Sequence, residues 1–144
     1  MSMAYHLSVF VSNEPGKLEK ITRVLAEAGL NIRAVSVASA GEFGVVRVLV
    51  NDPDKGYEEL KKHSFTVTKR KILIALIDDA PGAMHNLLVT LDQGKVNVED
   101  CYGFVIDEGK RAAIVFETEM PAEAEKALAA TKIRLVSDKE MYKL

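Results

Sequence analysis

Two short loops of this chain carry residue types that could bind a small charged molecule. One contains Pro15-Gly16 and the other Pro81-Gly82, and each precedes an apolar pattern of helical spacing. A helix that begins after Pro-Gly presents unpaired backbone N–H groups and the positive end of its dipole, which suits a carboxylate. A glycine in such a loop also lets a ligand approach the backbone where a Cβ would block it.

An asparagine follows each loop at the same distance, because the spacing from Gly16 to Asn31 equals that from Gly82 to Asn97. An asparagine side chain offers an oxygen that accepts from an ammonium group and an NH₂ that donates to a carboxylate. Loop and asparagine together match the two ends of a zwitterion. A duplicated unit that keeps a turn, a helix face and one asparagine has preserved more than a core, which indicates a repeated binding site.

The two halves differ in the charge of their loops. Asn13 is matched by Asp78 when the strand ends are aligned and by Asp79 when the Pro-Gly pairs are aligned. An acidic loop favours an ammonium and repels a carboxylate, so we expect one of the two sites to be the better one. The candidate ligand-binding residues are Asn13, Pro15, Gly16, Leu18, Asn31 and Ile32, and in the second half Asp78, Asp79, Pro81, Gly82, Met84, Asn97 and Val98.

A purely structural role fits the same residues. Pro-Gly after a strand is a common turn into a helix, and an asparagine after a helix end is a common left-handed cap. Asn13 and Asp78 could cap helices, and for Asp79 we expect a solvated loop carboxylate. Duplication would copy such caps as faithfully as a site.

The elements that must position these loops are the same in both halves. Alternation and β-branched residues predict strands, and apolar stripes such as Leu18, Ile21 and Leu25 predict helices. Gly29 and Gly94 are expected to end the first helix of each half with a positive φ. The predicted strands are 5–11, 32–39, 43–50 and 65–69, then 72–77, 98–106, 111–117 and 133–136, with helices after each Pro-Gly and around Leu60 and Pro121.

This order is β-α-β-β-α-β twice, the ferredoxin-like arrangement. We predict an α+β fold of two such units in tandem, residues 1–70 and 71–144, related by a pseudo-two-fold axis. Their antiparallel sheets would lie side by side with the helices on one face. Lys69-Arg70-Lys71 joins the halves without a Pro, Ser or Gly spacer, so we expect one body.

Three segments resemble the ACT domain, a small-molecule-sensing module of amino-acid metabolism. They are residues 9–18 with Asn13-Glu14-Pro15-Gly16, residues 25–32 ending in Gly29-Leu30-Asn31-Ile32, and residues 43–50. The second half resembles the family more loosely, through residues 78–82 and 96–98. The resemblance implies a βαββαβ fold, side-by-side pairing of units into one sheet, and a free amino acid bound at the seam between units.

Composition excludes several classes. A net charge of -2 gives no basic field for nucleic acid. The single cysteine, Cys101, rules out an internal disulfide framework and fits a reducing cytoplasm. We expect no signal peptide, because residues 1–5 do not show its pattern, and no membrane span, because no apolar run is long enough. His6, His63 and His85 are isolated, so we expect no metal, no cofactor and no catalytic group. Phe43 and Tyr102 are expected to pack within the sheet.

We therefore expect a cytoplasmic, allosteric amino-acid sensor that regulates an unidentified protein and forms a homodimer. One alternative is an interaction module of the same fold that has lost its ligand, which a panel of amino acids without thermal shift would favour. Another is a small enzyme that uses Asp78 and Asp79. Fold alone cannot choose among them.

Overall fold

A computed structural model describes residues 3–144, and the chain divides into two compact units. One unit is Tyr5–Arg70. The other is Lys71–Leu144, which the start of the chain joins through the backbone hydrogen bond from Asp138 N–H to the Met3 carbonyl, 3.4 Å. Within the described residues, every helix is too short or too polar to cross a membrane.

The first unit has the predicted βαββαβ order. Strand β3 pairs with β1 and β2 in antiparallel register, with Val9 opposite Val46 and Val46 opposite Val37. The elements are β1 (Ala4–Ser12), α1 (Lys17–Glu27), β2 (Ile32–Ala40), β3 (Phe43–Val50), α2 (Pro53–Lys62) and β4 (Thr66–Asp78).

The helices of this unit cover one face of the sheet because their apolar residues recur at helical spacing. The buried residues Ile21, Val24 and Leu25 form the stripe of α1, and α1 packs against α2. Asp52 caps α2 by accepting from the Lys55 N–H at 3.1 Å, and a proline occupies its first turn. Their core joins strand residues with helix residues: Leu7, Val9, Ile21, Val24, Leu25, Leu30, Val46, Val48, Val50, Leu60 and Val67.

The second unit repeats the order and begins in the same strand that ends the first. The two strands predicted on either side of Lys69-Arg70-Lys71 are one continuous strand, β4. In this unit β4 pairs with β6 and β7, and β6 pairs with β5, all antiparallel. The remaining elements are α3 (Ala83–Gln93), β5 (Asp100–Asp107), β6 (Arg111–Glu117), α4 (Pro121–Ala129), β7 (Arg134–Val136) and α5 (Asp138–Met141).

Two features differ from the prediction. Strand β5 begins at Asp100, so Val98 lies in the connection before it. The short helix α5 was not predicted, although Ser137 and Glu140 form a capping box that was readable from the sequence. The core of the second unit contains Leu73, Ala75, Leu87, Leu91, Val96, Ile114, Phe116, Ala124 and Leu128.

The ends of α1 and α3 use different residues for the left-handed position. Gly29 has φ +74, as predicted, but Gly94 has φ -82 and the positive φ of +58 belongs to Lys95. The prediction for Gly94 was therefore wrong. A Cβ at Gly94 would lie 2.9 Å from the Ala127 Cβ, so glycine allows α3 and α4 to approach closely. Lys95, sixty-six positions after Gly29, is the true counterpart of that glycine.

Candidate functional site

The first loop presents an open helix start. Helix α1 begins immediately after Gly16, whose φ of +87 is a conformation that glycine adopts without strain. Among the described residues, no side chain caps this helix. Pro15 and Gly16 are exposed, and a Cβ at Gly16 would meet nothing within 4 Å. The Lys17 N–H donates to the Glu14 carbonyl at 3.4 Å, whereas the next N–H groups of the first turn have no partner within the helix, so the positive end of the dipole lies at an open loop.

The second loop reproduces this geometry closely. Gly82 has φ +86, and no side chain of the described residues caps α3. The first backbone bonds are alike, since the Asn86 N–H donates to the Gly82 carbonyl at 2.9 Å and the Lys20 N–H donates to the Gly16 carbonyl at 3.1 Å. The chain thus has two helix starts of one design, with no side-chain cap among the described residues, a geometry that suits an anion.

Each loop is followed by an exposed apolar side chain and, beyond the helix, by a half-buried one. Leu18 is 42% exposed and Met84 is 41% exposed, both in the first turn of their helices. Ile32 and Val98 instead pack against the cores of their units. Only the first pair is therefore placed to touch a ligand at a loop.

Asn13 and Asp79 occupy equivalent positions and tie each loop to a hairpin turn. The Asn13 N–H donates to the Glu42 carbonyl at 2.7 Å, and its Nδ2 donates to the Gly41 carbonyl at 3.1 Å. The Asp79 N–H donates to the Lys110 carbonyl at 3.1 Å, and its Oδ2 accepts from the Gly109 N–H at 2.7 Å. We call these contacts the Asn13 latch and the Asp79 latch.

The latches decide between the two alignments of the loops. Asn13 corresponds to Asp79, whereas Asp78 is the exposed last residue of β4, in register with Arg111. We expected a solvated carboxylate at Asp79; the residue is partly exposed, and its Oδ2 also holds the turn of the β5–β6 hairpin. The negative charge of the second loop is thus partly engaged in a charge-assisted hydrogen bond.

The two asparagines lie beyond the other end of the helices. Asn31 follows α1, its N–H donates to Asn51 Oδ1 at 3.0 Å, and its carbonyl accepts from the Asn51 N–H at 3.3 Å. Asn97 is exposed in the connection between α3 and β5. Helices of 11 residues such as α1 and α3 are about 16 Å long. Within one unit, therefore, the loop glycine and the asparagine are too far apart to hold the same amino acid.

The cysteine and the three histidines lie in different environments. Burial, with a smaller contribution from the charge of Asp100, raises the pKa of the half-buried Cys101 thiol, which disfavours the nucleophilic thiolate. His6 is fully buried in β1, and His85 is exposed in the first turn of α3. His63 Nδ1 lies 2.8 Å from the Glu59 carbonyl oxygen at the end of α2.

Phe43 was also misjudged from the sequence. Phe43, expected to pack within the sheet, is 69% exposed. The signal for this was present, because Phe43, Val45 and Arg47 alternate with Val46 and Val48, which form the core.

Comparison with known proteins identifies the family of the chain. The ACT domain pair matches residues 1–144, the whole of the chain. The chain belongs to this family. The ACT domain pair is a regulatory family and not a catalytic one, and its two units are ferredoxin-like βαββαβ units with antiparallel sheet and helices, as predicted.

Solved structures resemble this ACT domain pair to different degrees. A protein from Bacteroides thetaiotaomicron is 31% identical, with a TM-score of 0.90 over 99% of this chain and 97% of that chain. The regulatory subunit of aspartate kinase from Thermus thermophilus, in a ligand-free form, is 14% identical, with a TM-score of 0.63 over 90% and 93%. The corresponding subunit from Thermus flavus is 16% identical, with a TM-score of 0.57 over 90% and 96%. The two regulatory subunits share the fold.

Proposed function

We propose that this ACT domain pair is a sensor that binds a free amino acid at its Pro-Gly loops and passes the signal to a separate protein. The observation that carries the proposal is the repeated helix start. Two loops place a glycine of nearly identical φ before a helix with no side-chain cap among the described residues, in a chain whose family is regulatory.

The carboxylate of the ligand would bind at a helix start. Backbone N–H groups there have no intrahelical partner, and the helix dipole favours a negative charge. Because the space that a Cβ would occupy at Gly16 and Gly82 is open within 4 Å, a carboxylate can approach the backbone directly. Leu18 or Met84, each exposed in the first turn, would contact the ligand side chain.

The ammonium group needs an acceptor, and an asparagine oxygen suits it. The asparagine of the same unit lies about one helix length away from the loop, so it cannot serve. The proposal therefore keeps the site at a seam between ACT units, with the loop from one unit and Asn31 or Asn97 from another. Ligand binding would stabilise one arrangement of units and so bias a surface that the regulated protein recognises.

Thermal unfolding against each standard amino acid tests the proposal. A ligand at a hundred times its dissociation constant should stabilise the chain by about 2.7 kcal/mol. The decisive variant carries Gly16→Ala and Gly82→Ala, which put a methyl group into the proposed path of the carboxylate. The matched control is Gly29→Ala, because Gly29 also has a positive φ and open space around its Cβ position but lies at the other end of α1.

We expect one chemical class of amino acid to stabilise the wild type and the Gly29→Ala variant but not the double loop variant. Stabilisation that persists in the double variant would contradict binding at the loops. If no amino acid stabilised the chain, the result would contradict the proposed sensor function. It would favour the interaction module, which binds a protein and no amino acid.

A further inference from the structure

The face of the first unit's sheet that points away from its helices carries an apolar surface that the loops do not use. Val9 and Val46 point into the core, so their neighbours Phe10 and Val45, opposite each other in the register, point to the other face. Ala38 of β2 is opposite Val45 in turn. Phe10 is 48% exposed and Phe43 is 69% exposed, although large aromatic side chains are usually buried.

These residues line a cavity of about 570 Å³. A pocket of this volume is of the size that binds a small organic molecule. It lies within Tyr5–Arg70, and its walls are mostly apolar. Its principal lining residues are Phe10, Ala38, Ala40, Phe43, Val45 and Arg47. We call it the open-face pocket.

The open-face pocket has one charge. Of the residues that line it, all of them described, Arg47 is the single charged one. Arg47 is half-buried and lies opposite Ser8 and Ser36 in the register. A guanidinium presents a planar fork of donors that matches a carboxylate. The other polar side chains of the lining are the hydroxyls of Ser12, Ser39 and Thr66, which carry no charge, so the ammonium of a zwitterion would meet no carboxylate and would lie beside the like charge of Arg47.

We infer that the open-face pocket binds a monocarboxylate with an aromatic or branched apolar body and no ammonium group. Phe10, Phe43 and Val45 contact the apolar body, and Arg47 faces the carboxylate. The preference is opposite to that of the amino-acid site, where both ends of a zwitterion are recognised. The chain thus has a second ligand class on a second surface.

The test uses 3-phenylpropionate as the probe and L-phenylalanine as its matched comparison, because the two differ by the ammonium group alone. The amine 3-phenylpropylamine, with the opposite charge, completes the set. Binding to the full chain is measured by calorimetry, and perturbed ¹⁵N-amide signals locate it. We expect 3-phenylpropionate to perturb Phe10, Phe43 and Val45 and to bind at least tenfold more tightly than either comparison compound, a difference of about 1.4 kcal/mol.

Variants separate the pocket from the rest of the unit. Phe43→Ala removes a side chain that is largely exposed, and it should weaken binding of the probe about tenfold. Arg47→Met keeps an unbranched apolar stem and removes the charge, and it should abolish the preference for the carboxylate. Val37→Ala is the control: Val37 is 54% exposed on β2 but points to the helix side, so binding should be unchanged.

Equal affinity for the amine, or perturbations confined to residues 15–20 at the loop, would overturn the inference. Sedimentation shows whether a second copy of the chain, and not a small molecule, occupies the open-face pocket. A wild type that is dimeric and does not bind the probe, together with a monomeric Phe43→Ala variant, would show that a second copy covers this face and would also overturn it.

Discussion

The residues with positive φ after α1 and α3 allow the cost of backbone strain to be measured separately from the effects of the side chain. Gly29 and Lys95 hold equivalent positions with φ +74 and φ +58. Their hydrogen bonds are the same: the Gly29 N–H donates to the Ala26 carbonyl at 3.0 Å, and the Lys95 N–H donates to the Asp92 carbonyl at 2.9 Å. The two helix ends therefore differ in side chain and not in geometry.

The expected effect follows from two opposing terms. A residue with a Cβ loses about 1–2 kcal/mol in the left-handed region. Glycine loses about 0.5–1 kcal/mol more backbone entropy on folding than other residues. The difference leaves glycine favoured at position 95 by about 0.5–1 kcal/mol over alanine. For the same reason Gly29→Ala should destabilise by about that amount, since its added Cβ would meet nothing within 4 Å.

Lys95→Ala is the necessary control. A cation near a helix C-terminus contributes about 0.3–1 kcal/mol at an exposed position, and both Lys95→Gly and Lys95→Ala remove it. The comparison of these two variants therefore isolates φ. Urea unfolding followed by circular dichroism gives the free energies, and an unchanged slope with denaturant shows that only stability has altered.

A Lys95→Gly variant that is no more stable than Lys95→Ala would refute the reasoning. So would a Gly29→Ala variant with wild-type stability. Either result would mean that the chain relaxes the φ of this residue at no cost, and the equivalence of the two helix ends would then be one of sequence position only.

Two further predictions concern packing and the single thiol. Gly94→Ala should destabilise by about 1–3 kcal/mol in the same urea assay, because its methyl group would lie 2.9 Å from the Ala127 Cβ, and adding Ala127→Gly should restore part of the loss. Native Cys101 should react with iodoacetamide more slowly at pH 8 than in the urea-unfolded chain, because its pKa is raised and less thiolate is present at that pH. Equal rates in the native and unfolded chain, read by mass spectrometry, would contradict the second prediction.

The sequence predicted the order of elements because its periodicities are strong. The Pro-Gly loops, the stripe of Ile21, Val24 and Leu25, and the order of the hairpins match the pattern, although β5 begins two residues later than predicted. The positive φ of Lys95 was missed because nothing in the sequence marks a lysine as left-handed. The adjacent Gly94 was chosen instead, because glycine is the usual residue at the left-handed end of a helix. Glycine serves two purposes, conformational freedom and close approach, and sequence alone does not separate them.

The candidate site was predictable in part. The helix starts at Gly16 and Gly82 were predictable, since a Pro-Gly turn into a helix is a property of consecutive residues. The position of Asn31 relative to its loop depends on the length and direction of α1, and the equal spacing in the two halves says nothing about distance in space. The exposure of Phe43 depends on which face of the sheet the helices cover.

The Asn13 and Asp79 latches join equivalent loops to their hairpin turns, but their side-chain hydrogen bonds run in opposite directions. In one the side chain donates to the turn, and in the other it accepts from the turn. Aspartate alone at position 13 would set a carboxylate against the Gly41 carbonyl oxygen. The side chain of each loop therefore matches the turn of its own hairpin. A chimera that places the second loop, with its aspartate, on the first hairpin would join two acceptors, whereas the first loop on the second hairpin would keep a bond, because the asparagine oxygen can accept from the Gly109 N–H.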